Sequence, residues 1–195
     1  NKLQTSKIGL ASFEEIKILR NRNIQTPILL LYPPLLNQLE LLLDLNVEIT
    51  MTNYNSILLL NKLAKERKKI IKIHIQIDTG LNRFGVKPNK VMMLIANIVK
   101  LKNISIEGIW THFVDAENDE IFTNKQFEQF LKILKQISDK GIKIPFVHTA
   151  NSAAISNFPK SYSKKIYAKV MPDAKILIRP GCLLYGTYRP LVNSS

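Results

Sequence analysis

What most constrains the fold of this chain is its rhythm. Seven short apolar segments, at residues 7–12, 28–31, 47–51, 70–77, 104–111, 146–149 and 176–179, alternate with segments of helical periodicity at spacings of about 20 to 40 residues. The helical signals carry their own punctuation. Ser12 stands before residues 13–22 as an N-cap, with Glu15 three positions on. In residues 123–140, Phe127, Phe130, Leu131, Leu134 and Ile137 fall on one face, and Gly141 follows as a stop. Further helices are predicted at 33–45, entered through proline, at 55–68, at 87–101 with Pro88 in the first turn, and as a short one opened by Ser152. Strands separated by helices belong to a parallel sheet covered by those helices. A doubly wound dinucleotide fold would place a glycine-rich fingerprint after the first strand, and none follows it. The expected fold is therefore α/β, a (β/α)8 TIM-type barrel. Seven units are visible in residues 1–195, read as one domain, and the first βα unit is expected to precede residue 1.

The stretch HIQIDTGLNRFG, residues 74–85, changes character halfway. Its strand half alternates isoleucine with Lys72, His74 and Gln76, which gives one aliphatic and one polar face. Between covering helices that polar face has no water to meet, so its side chains need partners. The second half has the turn formers of a loop leaving the carboxyl end of the strand, and Arg83 sits in it. Taken alone, this is equally a capped strand with a surface arginine. His74, four residues before the strand end, is expected to be a buried interior histidine.

The net charge of +13 raises the question of nucleic acid. The lysines are scattered over helix exteriors, however, and the densest run, KLAKERKKIIK at 62–72, straddles a helix end and has no interleaved aromatic residues on which bases would stack. Nucleic-acid binding is not expected. No apolar run reaches the length of a membrane span. A single cysteine, Cys182, precludes an intramolecular disulfide framework and fits a reducing, cytoplasmic setting.

In a parallel barrel the functional residues gather at the carboxyl ends of the strands. These ends are polar: Asp78 and Arg83 after the fourth segment, Thr111-His112 after the fifth, His148 through Ser152 after the sixth, and Arg179-Pro180-Gly181 after the seventh. Phosphate sites in barrels use the last loops together with a helix N-terminus, a role that Ser152 and the backbone amides of Gly181 and Cys182 would fill. Each residue also has a plainer reading. His112 is a core histidine, Ser152 a helix N-cap and Arg179 a surface residue. His148 begins its motif inside the barrel, behind the site residues.

Four segments together resemble the N-terminal domain of the alanine racemases, fold-type III pyridoxal-phosphate enzymes: HIQIDTGLNRFG, GIWTHF at 108–113, HTANSAA at 148–154 and RPGCLLYG at 179–186. The earlier stretch LASFEEIKILRNRNIQTPILLL is similar to that family as well. The resemblance covers essentially the whole chain in the right order. It implies that Arg179 faces the pyridine nitrogen of pyridoxal 5'-phosphate, supported by His112 and Asn151. It implies that Ser152 and the N–H groups of Gly181 and Cys182 hold the phosphate, and that Arg83 lies near the phenolic oxygen and the substrate carboxylate. Arginine does not give up its proton, so an arginine partner limits how strongly the ring withdraws electrons. The activity implied is interconversion of L- and D-alanine for peptidoglycan synthesis, by a cytoplasmic homodimer with no metal.

Two positions depart from the family pattern. Gln76 stands where many members have a lysine that can be carbamylated, and residues 157–175 form a long Lys- and Tyr-containing stretch before Arg179. The family's Schiff-base lysine and opposing tyrosine find no match in residues 1–195, so the chain is expected to be part of a longer enzyme and inactive alone. Other readings are a different amino-acid racemase or a decarboxylase on the same barrel, a non-catalytic pyridoxal-phosphate-binding barrel, and a metal-dependent hydrolase using His74, His112, His148 and Asp78.

Overall fold

The structure, a computed structural model, describes residues 5–187. Two compact units emerge, one from residues 5–76 with 93–107 and the other from 77–92 with 108–187.

The first unit holds four strands, β1 (Ile8–Leu10), β2 (Ile28–Leu30), β3 (Glu48–Met51) and β4 (Ile71–Gln76), each parallel to the next. Their inward residues, among them Leu30, Ile49, Ile73 and Ile75, are almost wholly buried. Helix α1 (Phe13–Asn21) begins as predicted: the Ser12 hydroxyl accepts from the Glu15 N–H, and the Glu15 carboxylate accepts from the Ser12 N–H. The leucine-rich helix expected at 33–45 is much shorter. Leu35 is extended after Pro33-Pro34, a 3-10 turn covers Leu36–Gln38, and α2 spans only Leu39–Leu42. Consecutive prolines hold the preceding backbone out of the helical region, and Asn46, at φ +48°, turns the chain into β3. Helix α3 (Tyr54–Glu66) is capped by the Asn53 side chain, which accepts from the N–H groups of Asn55 and Ser56.

Helix α4 (Pro88–Ile98) and strand β5 (Ile104–Trp110) follow in the chain. In the second unit the carboxyl half of β5 pairs in parallel with β6 (Phe146–His148), and β6 with β7 (Lys175–Ile176). Helix α5 (Glu120–Asp139) is one turn longer at its start than the periodicity indicates, because Asp119 caps it. Its buried stripe contains Phe127, Phe130, Leu134 and Ile137, with Leu131 outside it. Gly141, at φ +71°, ends the helix in the conformation that glycine tolerates best. The last strand is shorter than the expected 176–179. Arg179 lies beyond it, although its N–H still reaches the Ala150 carbonyl at 2.9 Å.

The long stretch at 157–175 is a packing element. It forms a 3-10 turn (Pro159–Tyr162) and α7 (Lys164–Tyr167), and it places Phe158 against Phe113 and Phe127, and Tyr167 against Phe127, in edge-to-face contacts with centroids 5.7–6.0 Å apart. Helix α6 (Ser152–Asn157) precedes it and α8 (Gly181–Leu184) follows β7.

Candidate active site

Every residue that the family resemblance nominates for the site falls in the second unit. Arg179 is the centre of the group. Its guanidinium donates to the Thr111 carbonyl at 2.9 Å and the Thr149 carbonyl at 3.1 Å, and to His148 Nδ1 at 2.8 Å. Both carbonyls and that imidazole nitrogen leave β5 and β6 at their carboxyl ends, so the parallel register of the two strands aims three acceptors at one cation. All three acceptors are neutral, since a ring nitrogen that accepts from arginine must be unprotonated. Burial without a carboxylate draws Arg179 down from its ordinary value to about 10, which leaves it charged at neutral pH. Its plainer reading as a surface residue is excluded by these contacts.

His148 is the histidine bonded to Arg179, in keeping with its place behind the motif. His112 carries out no such bond. It is half-buried, and desolvation, followed by the charges of Arg179 and Arg83, pushes it down to about 4. It is thus a neutral ring near two cations. Asn151 likewise is not among the hydrogen-bond partners of the guanidinium: its side-chain oxygen accepts from the Ala154 N–H at 3.0 Å and caps α6. The cap is therefore Asn151, and the reading of Ser152 as N-cap is corrected. Ser152 is the first helical residue, and its hydroxyl oxygen, being free of capping, accepts from the Leu183 N–H of α8 at 3.3 Å. That contact ties the start of α6 to the start of α8, bringing Ser152, Gly181 and Cys182 together. The Gly181 N–H donates to the Arg179 carbonyl at 2.9 Å, and Cys182 is exposed.

Arg83 is exposed in a loop whose frame is closely defined. The buried Asp78 carboxylate accepts from the N–H groups of Gly80 and Asn82 and from Lys87, which hold it below the ordinary carboxylate value despite the opposing effect of burial. Asp78 N–H donates to the Val86 carbonyl and closes the loop at its base. Gly85, at φ +121°, packs so closely there that a Cβ would lie 2.6 Å from the Asp78 nitrogen. Asp78 is therefore a loop-forming residue. Among the described residues no three His, Cys, Asp or Glu side chains are grouped to hold a metal ion. His74 is fully buried in the first unit, where its Nε2 meets the Glu48 carboxylate at 2.7 Å and Lys7 meets the same carboxylate. Gln76 is buried at the end of β4.

Sequence reasoning missed three participants. Glu48 announced itself only as a charge in the otherwise apolar segment VEITM. Thr149 lies inside a quoted motif, but its role comes from its carbonyl, which no side-chain pattern reveals. Its hydroxyl is also engaged, donating to the Ser161 carbonyl at 2.8 Å beside the Tyr167 hydroxyl. Trp110 had no polar signal at all.

The group suits pyridoxal phosphate on three counts. An uncompensated buried cation attracts an anion, the Ser152 hydroxyl lies at a meeting of two helix starts, and a Cβ on Gly181 would find no protein atom within 4 Å, which leaves room beside the backbone.

Comparison with known proteins identifies the relatives. The family described as alanine racemase, N-terminal domain, matches residues 2–189. The alanine racemase of Methanococcus maripaludis is 36% identical over 189 residues, covering 93% of this chain and 46% of that protein. That of Halothermothrix orenii is 34% identical over 193 residues, covering 97% and 48%. The chain thus spans about half the length of the curated relatives it matches. Among solved structures, the alanine racemase of Clostridium difficile in complex with cycloserine superposes with a TM-score of 0.79 at 29% identity, over 82% of this chain and 44% of that one. The Bacillus anthracis alanine racemase with bound L-Ala-P gives 0.78 at 26% identity, over 96% and 46%. The α/β architecture with seven parallel strands matches the barrel domain of those enzymes.

Proposed function

The chain belongs to the alanine racemase N-terminal domain family, and from that premise we propose that it is the pyridoxal-phosphate-binding barrel portion of an enzyme that interconverts L-alanine and D-alanine. The observation that carries the reading is Arg179, a half-buried cation whose hydrogen-bond partners are all neutral. In this role Arg179 takes the pyridine nitrogen, and the Ser152 hydroxyl and the Cys182 N–H take the phosphate beside Gly181, whose own N–H donates to the Arg179 carbonyl. The cofactor, once bound, supplies an electron sink that acidifies the α-proton of the amino acid. Arg179 moderates that sink: it retains its own proton, so the ring nitrogen accepts a hydrogen bond without becoming a cation. A moderated sink favours exchange of one proton over more extended carbanion chemistry.

Arg83 orients the substrate through its carboxylate, as the relatives' bound cycloserine and L-Ala-P make an alanine-sized ligand the natural candidate. His112 remains a neutral ring near two cations, so it lines the site without adding charge. The Schiff-base lysine and the opposing tyrosine have no motif match in residues 1–195, and the reading assigns the complete reaction to the longer protein, a cytoplasmic homodimer that feeds D-alanine to peptidoglycan synthesis. No helix among the described residues is long and apolar enough to cross a membrane.

The test uses the full-length protein supplied with pyridoxal phosphate and enantiopure L-alanine, with D-alanine followed by circular dichroism or a D-amino-acid oxidase assay. Accumulation of D-alanine to a racemic mixture is expected. A protein that binds the cofactor and leaves L-alanine unchanged would fail the proposal.

A further inference from the structure

We propose that Trp110 is a positioning residue for Arg179, pinning the guanidinium against its indole face and holding the His148 ring in the orientation that accepts from it. The proposal rests on the reading of Arg179 as the group that faces the cofactor ring, and it adds a residue of the GIWTHF segment to which the resemblance gives no role. Trp110 closes β5, and its register partner on β6 is His148. Paired residues of neighbouring parallel strands point to the same side of a sheet, which brings the two rings together. They stack with centroids 5.4 Å apart and planes 10° from parallel. The Arg179 guanidinium carbon lies 4.7 Å from the indole ring, and Arg179 Nη1 is 2.8 Å from His148 Nδ1. Each of the three groups therefore touches the other two.

Two further observations give the arrangement its meaning. The indole is 3% exposed, yet its Nε1–H has no hydrogen-bond partner among the described residues. A buried unpaired donor is unfavourable, and phenylalanine or leucine would avoid it. What the indole supplies in exchange is the best π face for a cation among the side chains. Arg179 needs one, because its hydrogen-bonded partners carry no negative charge. The stack also limits rotation of the imidazole about its χ2 angle, so the Nδ1 lone pair stays directed at Nη1 and the ring hydrogen stays on Nε2. Carbonyls set the guanidinium in its plane, and the indole sets its height.

The test is made in the full-length enzyme with fluorotryptophans of increasing fluorine count placed at position 110 alone, since these weaken the π face while keeping its shape, and with Trp110→Leu and Trp110→Phe. A stepwise fall in kcat along the fluorine series is expected, with KM for alanine and the cofactor dissociation constant moving by less than about threefold. Trp110→Leu should lower kcat by roughly five- to thirtyfold, and Trp110→Phe should recover most of it. Independently, the Arg179 side-chain protons should show an upfield ring-current shift in the wild type that disappears in Trp110→Leu. A flat fluorine series, a wild-type kcat in Trp110→Leu, or no ring-current shift in the wild type would overturn the proposal. If Trp110→Leu does not fold, the shape-preserving fluorine series decides. A wild type that shows the shift but does not racemise alanine would instead overturn the functional reading and support the clamp.

Discussion

A polar cluster in each unit holds a cationic group, and the two solutions are opposite. In the first, Lys7 and His74 converge on the Glu48 carboxylate, so a negative charge answers the positive one. In the second, Arg179 is held by two carbonyls, an imidazole nitrogen and an indole face, and its charge is left unanswered by those partners. The first arrangement is closed upon itself and suits a structural role. The second has a surplus of positive charge, which a bound anion would complete. The contrast between these two groups lies in charge balance more than in burial: both are desolvated, and only Arg179 lacks a carboxylate partner.

The largest effect is expected from making the second arrangement resemble the first. Arg179→Glu, in the full-length protein, should lower alanine racemisation by on the order of 10² to 10³-fold, because a preorganised charge is replaced by its opposite. Cofactor binding should fall far less, since the phosphate contacts are elsewhere, and the two are separated by measuring kcat alongside a pyridoxal-phosphate titration of the apoenzyme. Racemisation at the wild-type rate would remove Arg179 from the chemistry.

Glu48→Gln is the reciprocal change, leaving Lys7 and His74 without their carboxylate. A buried pair broken on one side costs about 3 kcal/mol or more, so the chemical denaturation midpoint should fall while the activity remaining per folded molecule changes little. The same cluster predicts an acid sensitivity. Burial, opposed by Glu48, holds His74 below its ordinary 6.5, and hydrogen bonds from His74 and Lys7 outweigh burial to hold Glu48 below its ordinary 4.5. For a group whose folded value is depressed, the unfolded chain takes up the proton first. Stability should therefore decline as pH falls below 6.5, and decline further below 4.5, with His74→Phe removing the first step from a series of melts taken against pH.

Ser152→Ala should raise the cofactor dissociation constant by the equivalent of one charge-assisted hydrogen bond, ~1.5–3 kcal/mol. A constant unchanged by the substitution would leave Ser152 as only the link between α6 and α8. The smallest effect is a titration. His112 is depressed to about 4 by desolvation and then by Arg179 and Arg83, so its ring should remain neutral from pH 5 upward and contribute no limb to the pH profile above that. Arg83→Met should move its NMR-detected titration upward, while a value that stays put would show that desolvation and Arg179 set it without Arg83.

The fold was legible where periodicity runs long. The amphipathic stripe of α5 and the capping box of α1 are local patterns, and local patterns survive reading without coordinates. The helix at 33–45 was misread because leucine spacing was weighed above Pro33-Pro34, whose backbone restriction won. Of the site, the strand-end position of Arg179, His112 and His148 followed from a parallel barrel and was readable. Their pairings were not. Whether Arg179 meets His148 or His112 depends on how β5 and β6 are staggered, and that is a property of two strands far apart in sequence. Glu48 and His74 illustrate the same limit: Thr50 lies opposite His74 in the register, which puts Glu48, two residues earlier on β3, on the same face, and nothing in either segment alone reveals it. Residues 157–175 were opaque because Phe158 and Tyr167 lack a repeating spacing, and their meaning comes only from the aromatic cluster they enter.

The closed loop between Asp78 and Lys87 has a consequence for the rate of ligand capture. With the Asp78 carboxylate fastened at three points, the base bridged to Val86 and Gly85 packed against the Asp78 backbone, the segment bearing Arg83 has few alternative conformations to abandon when a carboxylate arrives. The loss of loop freedom that ordinarily weakens and slows association is lessened by these contacts. On the role proposed for Arg83, capture of an amino acid at this loop is then governed by encounter, with an exposed positive charge drawing the anion in, and its on-rate in the full-length protein should fall steeply with ionic strength.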